Sequence, residues 1–348
     1  MPFQRLADFN RWRLRPAADT SRGAWRIVLH SLIGLTLLGL FARQVNFAEV
    51  VTLTMEAAVG PIILALGAYA LDFLLRAMRF WILLEATTGR RVAWRAVIAP
   101  FVASFGISDL LPLRAGDAFR LIWFQRMMGL SAGKVLGAML IERFYDLSAL
   151  LLLGVFLFAA HKGALGDFAA AAALLSVFFI LTWGAAVVAD RAARTVGGSE
   201  KRNWRKRLLD AGVTALRSFA ILRSIRRQLL LLGLSLLCWI LEAGLFFGAW
   251  ISLGGAFRQW GPAMAAFTAS TLGTLLPGLP GHFGTFELFG LEMFRLAGVS
   301  RDFGASVLLL AHLLLWAPTA LFAVIWLAVV RRRRRSSPAA AQPDSALR

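Results

Sequence analysis

The charged residues that interrupt apolar runs in this chain are few enough to name. Glu142, Arg143 and Asp146 break a run that is otherwise mostly Leu, Ala, Met and Phe, and Arg114, Asp117 and Arg120 stand just before it. Farther along, His282 and Glu287 occupy a comparable place, and Glu242 and His312 lie singly inside long apolar stretches. A charged side chain at the middle of a membrane helix costs about 2.5–3.5 kcal/mol on insertion scales, so each of these residues needs a partner or a task. Two tasks fit their types. Arginines beside free helix N-termini hold an anion such as a lipid phosphate. Carboxylates and histidines handle protons, as general bases or as groups whose protonation changes the charge of a pocket. A purely structural ion cluster linking Arg143, the carboxylates and Arg114 or Arg120 is the third reading. Glu142 and Asp146 stand one turn apart on one helical face, and Glu142 lies roughly 15 Å along the axis from Ala132 at about 1.5 Å per residue. Asp72, Arg76 and Arg79 are expected to snorkel to the cytoplasmic interface or to pair with one another.

These residues gather around two interruptions. Thr274 to Glu287 is dense in Pro and Gly where the flanking hydrophobicity promises continuous membrane helix, and the breaking residues are Pro277, Pro280, Gly281 and Gly284. Leu111-Pro112-x-x-x-Gly116 answers Leu279-Pro280-x-x-x-Gly284. Both are followed by Gly-apolar-Ser, at Gly129 and at Gly298, and Phe101-x-Ala103-Ser104 upstream matches Phe267-x-Ala269-Ser270. Such correspondence marks an internal repeat. Backbone left unpaired in hydrocarbon is tolerated only where protein covers it or a polar cavity meets it, so a break at membrane depth marks a binding site. The candidate substrate-binding residues are therefore Arg114, Asp117, Arg120, Glu142, Arg143, Asp146, His282 and Glu287, framed by Pro112, Gly116 and the breaking residues of the second segment.

Of 348 residues, 59% are hydrophobic and 16% charged, which describes an all-α polytopic membrane protein rather than a soluble domain. A β-barrel would alternate with period two in short segments, whereas these apolar runs are long and rich in Leu and Ala. The net charge of +19 reports loops facing anionic lipid headgroups at the cytoplasmic surface rather than a nucleic acid. Cys238 is the single cysteine, so no intrachain disulfide can form.

Residues 1–26 form a basic leader, and Ile27 to Ala42 has no small-x-small cleavage site, which makes it an uncleaved first helix. The membrane domain then spans 27–330. Its first repeat covers about 60–160, a basic cytoplasmic loop covers 190–228, and the second repeat covers about 229–330. Residues 331–348 form a basic tail expected to be disordered. Phe168 to Ala189 is expected as a helix, joined to the one before it by a turn carrying His161 and Gly163. Trp204 to Leu222 has helical apolar spacing suited to the membrane face. The arginines between 191 and 227, and those from 331 to 335, should all be cytoplasmic. With the N-terminus inside, that is met only if Val97–Met127 dips in from the cytoplasm and Pro262–Leu296 dips in from outside. About six full transmembrane helices and two broken re-entrant hairpins in an inverted repeat result, with both termini cytoplasmic.

Enzyme signatures are sparse. Gly129 to Val135 resembles a phosphate loop, but Met128 replaces its first Gly and Val135 its Ser or Thr. No zinc-protease motif, paired cysteines or dinucleotide fingerprint occurs, and no metal or cofactor is expected. At Leu111-Pro-Leu-Arg-Ala-Gly-Asp-Ala-Phe-Arg120, Ile141-Glu-Arg-Phe-Tyr-Asp146 and Leu279-Pro-Gly-His-Phe-Gly-Thr-Phe-Glu287, with Gly298-Val-Ser300, the chain resembles a flippase-like family. That family includes the transmembrane region of lysylphosphatidylglycerol synthases and stand-alone relatives. The resemblance covers about Ile27 to Val330. It implies a multi-pass protein of the bacterial inner membrane that moves, or helps to move, a polar or anionic lipid between leaflets, with a lipid-modifying enzyme as its expected partner. The family usually has glycine where His282 stands, and a basic residue in the last helix for which His312 is the nearest polar counterpart. With no room for a soluble aminoacyl-transferase domain, the chain should not make the modified lipid alone. A membrane transferase using the same carboxylates as bases, or a non-catalytic partner of one, are the alternatives.

Overall fold

The computed structural model describes residues 20–162 and 204–335, with isolated helical positions between 173 and 191. The leader up to residue 19, the turn at Gly163, most of the helix expected over Phe168–Ala189, residues 192–203 and the tail from 336 lie outside the described residues. Phe178, one of the isolated positions, stacks on Phe144 and meets the edge of Tyr145.

The described chain is helical. An opening pair, α1 (Thr20–Ala42) and α2 (Phe47–Met55), is bent by 81° at residues 43–46. Asn46 makes the elbow: its side chain accepts from the Ala48 N–H at 3.2 Å to cap α2, and its own N–H donates to Asp302 Oδ1 at 2.7 Å. Next come α3 (Val59–Thr88), α4 (Trp94–Leu110), α5 (Ala115–Met128) and α6 (Ala132–Lys162). The Trp204–Arg217 segment is α7, followed by α8 (Ile225–Ser252), α9 (Trp260–Gly273), α10 (Thr285–Leu296) and α11 (Arg301–Arg335).

Proline and glycine place the interruptions. Pro112 excludes helical geometry from the residue before it, so α4 stops and Leu111 is extended, with φ −117° and ψ 145°. Leu113 and Arg114 then turn left-handed, at φ 60° and 52°, before α5 begins. In the second interruption Pro280 acts likewise on Leu279, at φ −63° and ψ 160°. Gly281, His282 and Gly284 all have positive φ ahead of α10. Gly116 serves a different need. A Cβ there would come within 1.7 Å of the Ser104 carbonyl oxygen, so only glycine lets α5 lie this close against α4.

By length and composition, α3, α8 and the stretch of α11 over Arg301–Arg332 can cross a membrane, with the bent α1–α2 pair as a fourth candidate. α6 has 31 residues, at about 1.5 Å each more than the roughly 30 Å of a bilayer core, and is set apart by its internal charges. α3 and α8 form the most extensive helix contact and run antiparallel. Ala58 donates to the Ser252 carbonyl at one end, and Arg79 reaches Ser235 farther along. The two broken segments are each gripped by the other half: α11 lies along α4, with Gly106 against Thr319, and α6 meets α9 where Gly154 touches Thr268. α7 packs on the start of α6, setting Thr214 against Gly133.

Candidate functional site: a charged cavity between two broken helices

The two interruptions meet. Arg114 Nη2 donates to the Thr274 carbonyl at 3.1 Å, and Pro112, Pro277 and Pro280 line one small cavity together with His30 of α1. Beside it opens a larger cavity of about 400 Å³ whose wall draws on both halves of the chain. α3, α4, α5 and α6 supply one side, and α8, α9, the Gly281–His282 turn and α11 supply the other.

The ion pairs behind this wall are layered. Deepest is Arg79 on α3, fully buried, with Nη1 on Asp146 Oδ1 at 2.5 Å and Nη2 facing Glu142 Oε1 at 3.6 Å. Glu142 turns its other oxygen to Arg120 Nη1 at 2.9 Å, and Arg120 Nε donates to Ser104 Oγ, also at 2.9 Å. The guanidinium of Arg120 rests over the rings of Phe80, Phe101 and Phe105, at 5.1, 4.4 and 4.8 Å from their centroids. A fully buried arginine is thus held by a carboxylate, a hydroxyl and three ring faces, which makes its burial tolerable. A parallel chain joins α3 to α8: Arg76 donates to Asp72 at 2.8 Å and to Glu242 at 2.6 Å, with Trp239 beneath it. Nearer the opening, Arg143 pairs with Asp117 at 2.9 Å and keeps 42% of its side chain exposed.

The sequence candidates separate on this geometry. Arg114, Asp117, Arg120, Arg143, Asp146 and His282 line the larger cavity. Glu142 and Glu287 are fully buried behind it, as supports for Arg120 and His312. Of the two expectations for Asp72, Arg76 and Arg79, pairing rather than snorkelling holds: all three are buried, Arg76 pairs with Asp72, and Arg79 pairs with Asp146. The free helix N-termini are partly filled from within: the Gly116 N–H donates to Ser108 Oγ at 3.1 Å and the Gly284 N–H to Glu287 Oε2 at 2.7 Å. Glu287 thereby supplies half a capping box to α10.

Arg76, Asp109, Glu242 and His312 also line the wall, outside the candidate set. Glu242 and Asp109 complete a balance in which Arg76, Arg114, Arg120 and Arg143 face Asp109, Asp117, Asp146 and Glu242. The only advance sign of Asp109 was its position three residues before Pro112. Its carboxylate accepts from Thr319 Oγ1 of α11 at 2.7 Å, and its carbonyl accepts from Trp316 Nε1 at 3.3 Å. Among the described residues, no cation pairs with Asp109 and no carboxylate pairs with Arg114. Groups of His, Cys, Asp and Glu able to hold a metal ion are absent among the described residues.

A family model described as lysylphosphatidylglycerol synthase TM region matches residues 27–323, from within α1 to within α11. The chain belongs to this family. It matches none of the curated proteins with which it was compared. Membership in the lysylphosphatidylglycerol synthase TM-region family, together with the long apolar helices, makes this a multi-pass membrane protein of lipid metabolism or translocation.

Proposed function

We propose that this protein moves a polar or anionic phospholipid between the leaflets of a bacterial inner membrane, binding the headgroup in the cavity between the two broken helices. The observation that carries the proposal is the direct contact of the two interruptions, Arg114 on Thr274, at the rim of a charged cavity inside an otherwise apolar bundle. A headgroup phosphate finds in Arg114 a guanidinium that holds no carboxylate, with Arg143 and Asp117 beside it. In this reading α4–α5 and α9–α10 are re-entrant hairpins that approach from opposite faces, each inside a helix–hairpin–helix unit. The antiparallel run of α3 and α8, and the reciprocal grip of α11 on α4 and of α6 on α9, are what an inverted repeat requires. Basic cytoplasmic loops rest on anionic headgroups, both termini are cytoplasmic, and a lipid-modifying enzyme is the natural supplier of substrate.

The test is movement of fluorescent phosphatidylglycerol across vesicles containing the purified chain, with lipid masses read from the same samples. Movement well above protein-free vesicles, unchanged lipid masses and at least a tenfold loss in Arg114→Ala are expected, since a charge-assisted phosphate contact of about 1.5–3 kcal/mol is removed. New covalent lipid species with no movement would overturn the proposal in favour of a transferase.

A further inference from the structure

His312 of α11 is buried, and both its ring nitrogens are engaged. Nε2 lies 2.7 Å from the Gly281 carbonyl, and Nδ1 meets Glu287 Oε1. A carbonyl only accepts, so Nε2 carries a proton. Nδ1 and a carboxylate oxygen in contact must then share one further proton, either as imidazolium with carboxylate or as imidazole with carboxylic acid. In both forms the pair is neutral overall. Phe283 and Phe286 enclose the imidazole, with ring centroids at 4.5 and 4.6 Å, and hold it in this orientation.

The shared proton has a mechanical role. Glu287 Oε2 accepts the Gly284 N–H at 2.7 Å, so the pair fastens both sides of the second interruption, the Gly281 carbonyl and the Gly284 amide, to α11. One and two turns farther along α11, Trp316 and Thr319 fasten the same helix to Asp109, at the end of α4 and beside the first interruption. α11 therefore joins both breaks. Loss of the shared proton to water would leave a lone pair facing a carboxylate in a buried site, with a net charge of −1. That is unfavourable enough to separate the pair and free the second break from α11.

We propose that His312 and Glu287 form a proton-binding site through which proton flow drives the lipid movement proposed above, on which this inference rests. The proton reaches the pair through the larger cavity, which His312 and Asp109 both line. The charged and titratable groups facing the pair come from every neighbouring element. They are Asp109 on α4, Arg114 ahead of α5, His282 in the turn and Tyr69 on α3, whose hydroxyl donates to the Leu315 carbonyl at 2.7 Å, while His30 on α1 lines the adjoining smaller cavity with His282. Asp109, a carboxylate with no cationic partner among the described residues, is the site from which a proton would pass to His312.

The test uses the full chain in vesicles of phosphatidylethanolamine and phosphatidylglycerol, with fluorescent phosphatidylglycerol as probe and an imposed pH gradient. Wild-type movement should rise several-fold in one gradient direction and lose that gain on adding a protonophore. His312→Gln should move lipid at one rate with or without the gradient. Gradient-independent wild-type movement, or an unaltered response in His312→Gln, would overturn proton coupling while leaving lipid translocation intact. Absence of wild-type movement in every condition would instead overturn the translocation reading, and coupling with it. Proton binding is read separately from the ¹⁵N resonances of the four histidines in nanodiscs, His312 being assigned by its absence in His312→Gln. Nε2 should stay protonated, and the Nδ1 resonance should move when the pH of the vesicle or nanodisc medium is changed. An Nδ1 signal that stays constant overturns the site itself.

Discussion

His282 shows how one side chain can be set against its own backbone. It adopts φ 62° between Gly281 at 69° and Gly284 at 89°. A residue with a Cβ pays about 1–2 kcal/mol for that region, and glycine returns about 0.5–1 kcal/mol of this as unfolded-state entropy. The turn uses only main-chain atoms of His282: its N–H donates to Leu279 O and its carbonyl accepts from Thr285 Oγ1. His282→Gly should therefore raise stability by about 0.5–1 kcal/mol, visible as a higher unfolding temperature in detergent. A lower temperature would mean that the imidazole packs well enough in the cavity wall to outweigh its strain. Histidine is one of the few side-chain types that visits this region with any frequency, which is how the turn keeps its shape without a glycine at this position.

At the scale of elements, the bond from Arg120 on α5 to Glu142 on α6 holds the first broken helix against the bundle. Arg120→Ala leaves a buried carboxylate with only Arg79, at 3.6 Å, to answer it, and should cost about 3–5 kcal/mol in thermal unfolding. Arg120→Met combined with Glu142→Leu should cost much less, because both charges leave together. Equal losses would show that the pair is not a coupled clamp. The element boundaries were largely legible, because Pro and Gly act locally: α10 starts and ends at Thr285 and Leu296, as apolar spacing and the Gly284 break indicate. What could not be read was which charge meets which. Arg79 and Asp146 are 67 positions apart, and Arg76 and Glu242 are 166 apart. Local spacing favours pairing within Asp72, Arg76 and Arg79, and only Asp72 with Arg76 keeps to it. The elbow at Asn46 was hidden as well, since it depends on Asp302 far along the chain.

For the whole molecule, the central claim is that the two interruptions enclose one aqueous cavity within the membrane. Leu113 and Leu276 sit in different interruptions, are both about half exposed, and line the same space, while Cys238, the single cysteine of the chain, is buried. The most direct measurement is the rate at which a charged, water-soluble maleimide modifies Leu113→Cys and Leu276→Cys, singly and together, in membrane vesicles. The account predicts that both react and that modification of one slows modification of the other. Two cysteines inert to the charged reagent yet labelled by a lipid-soluble maleimide would mean straight, lipid-facing spans, and the shared cavity would be contradicted.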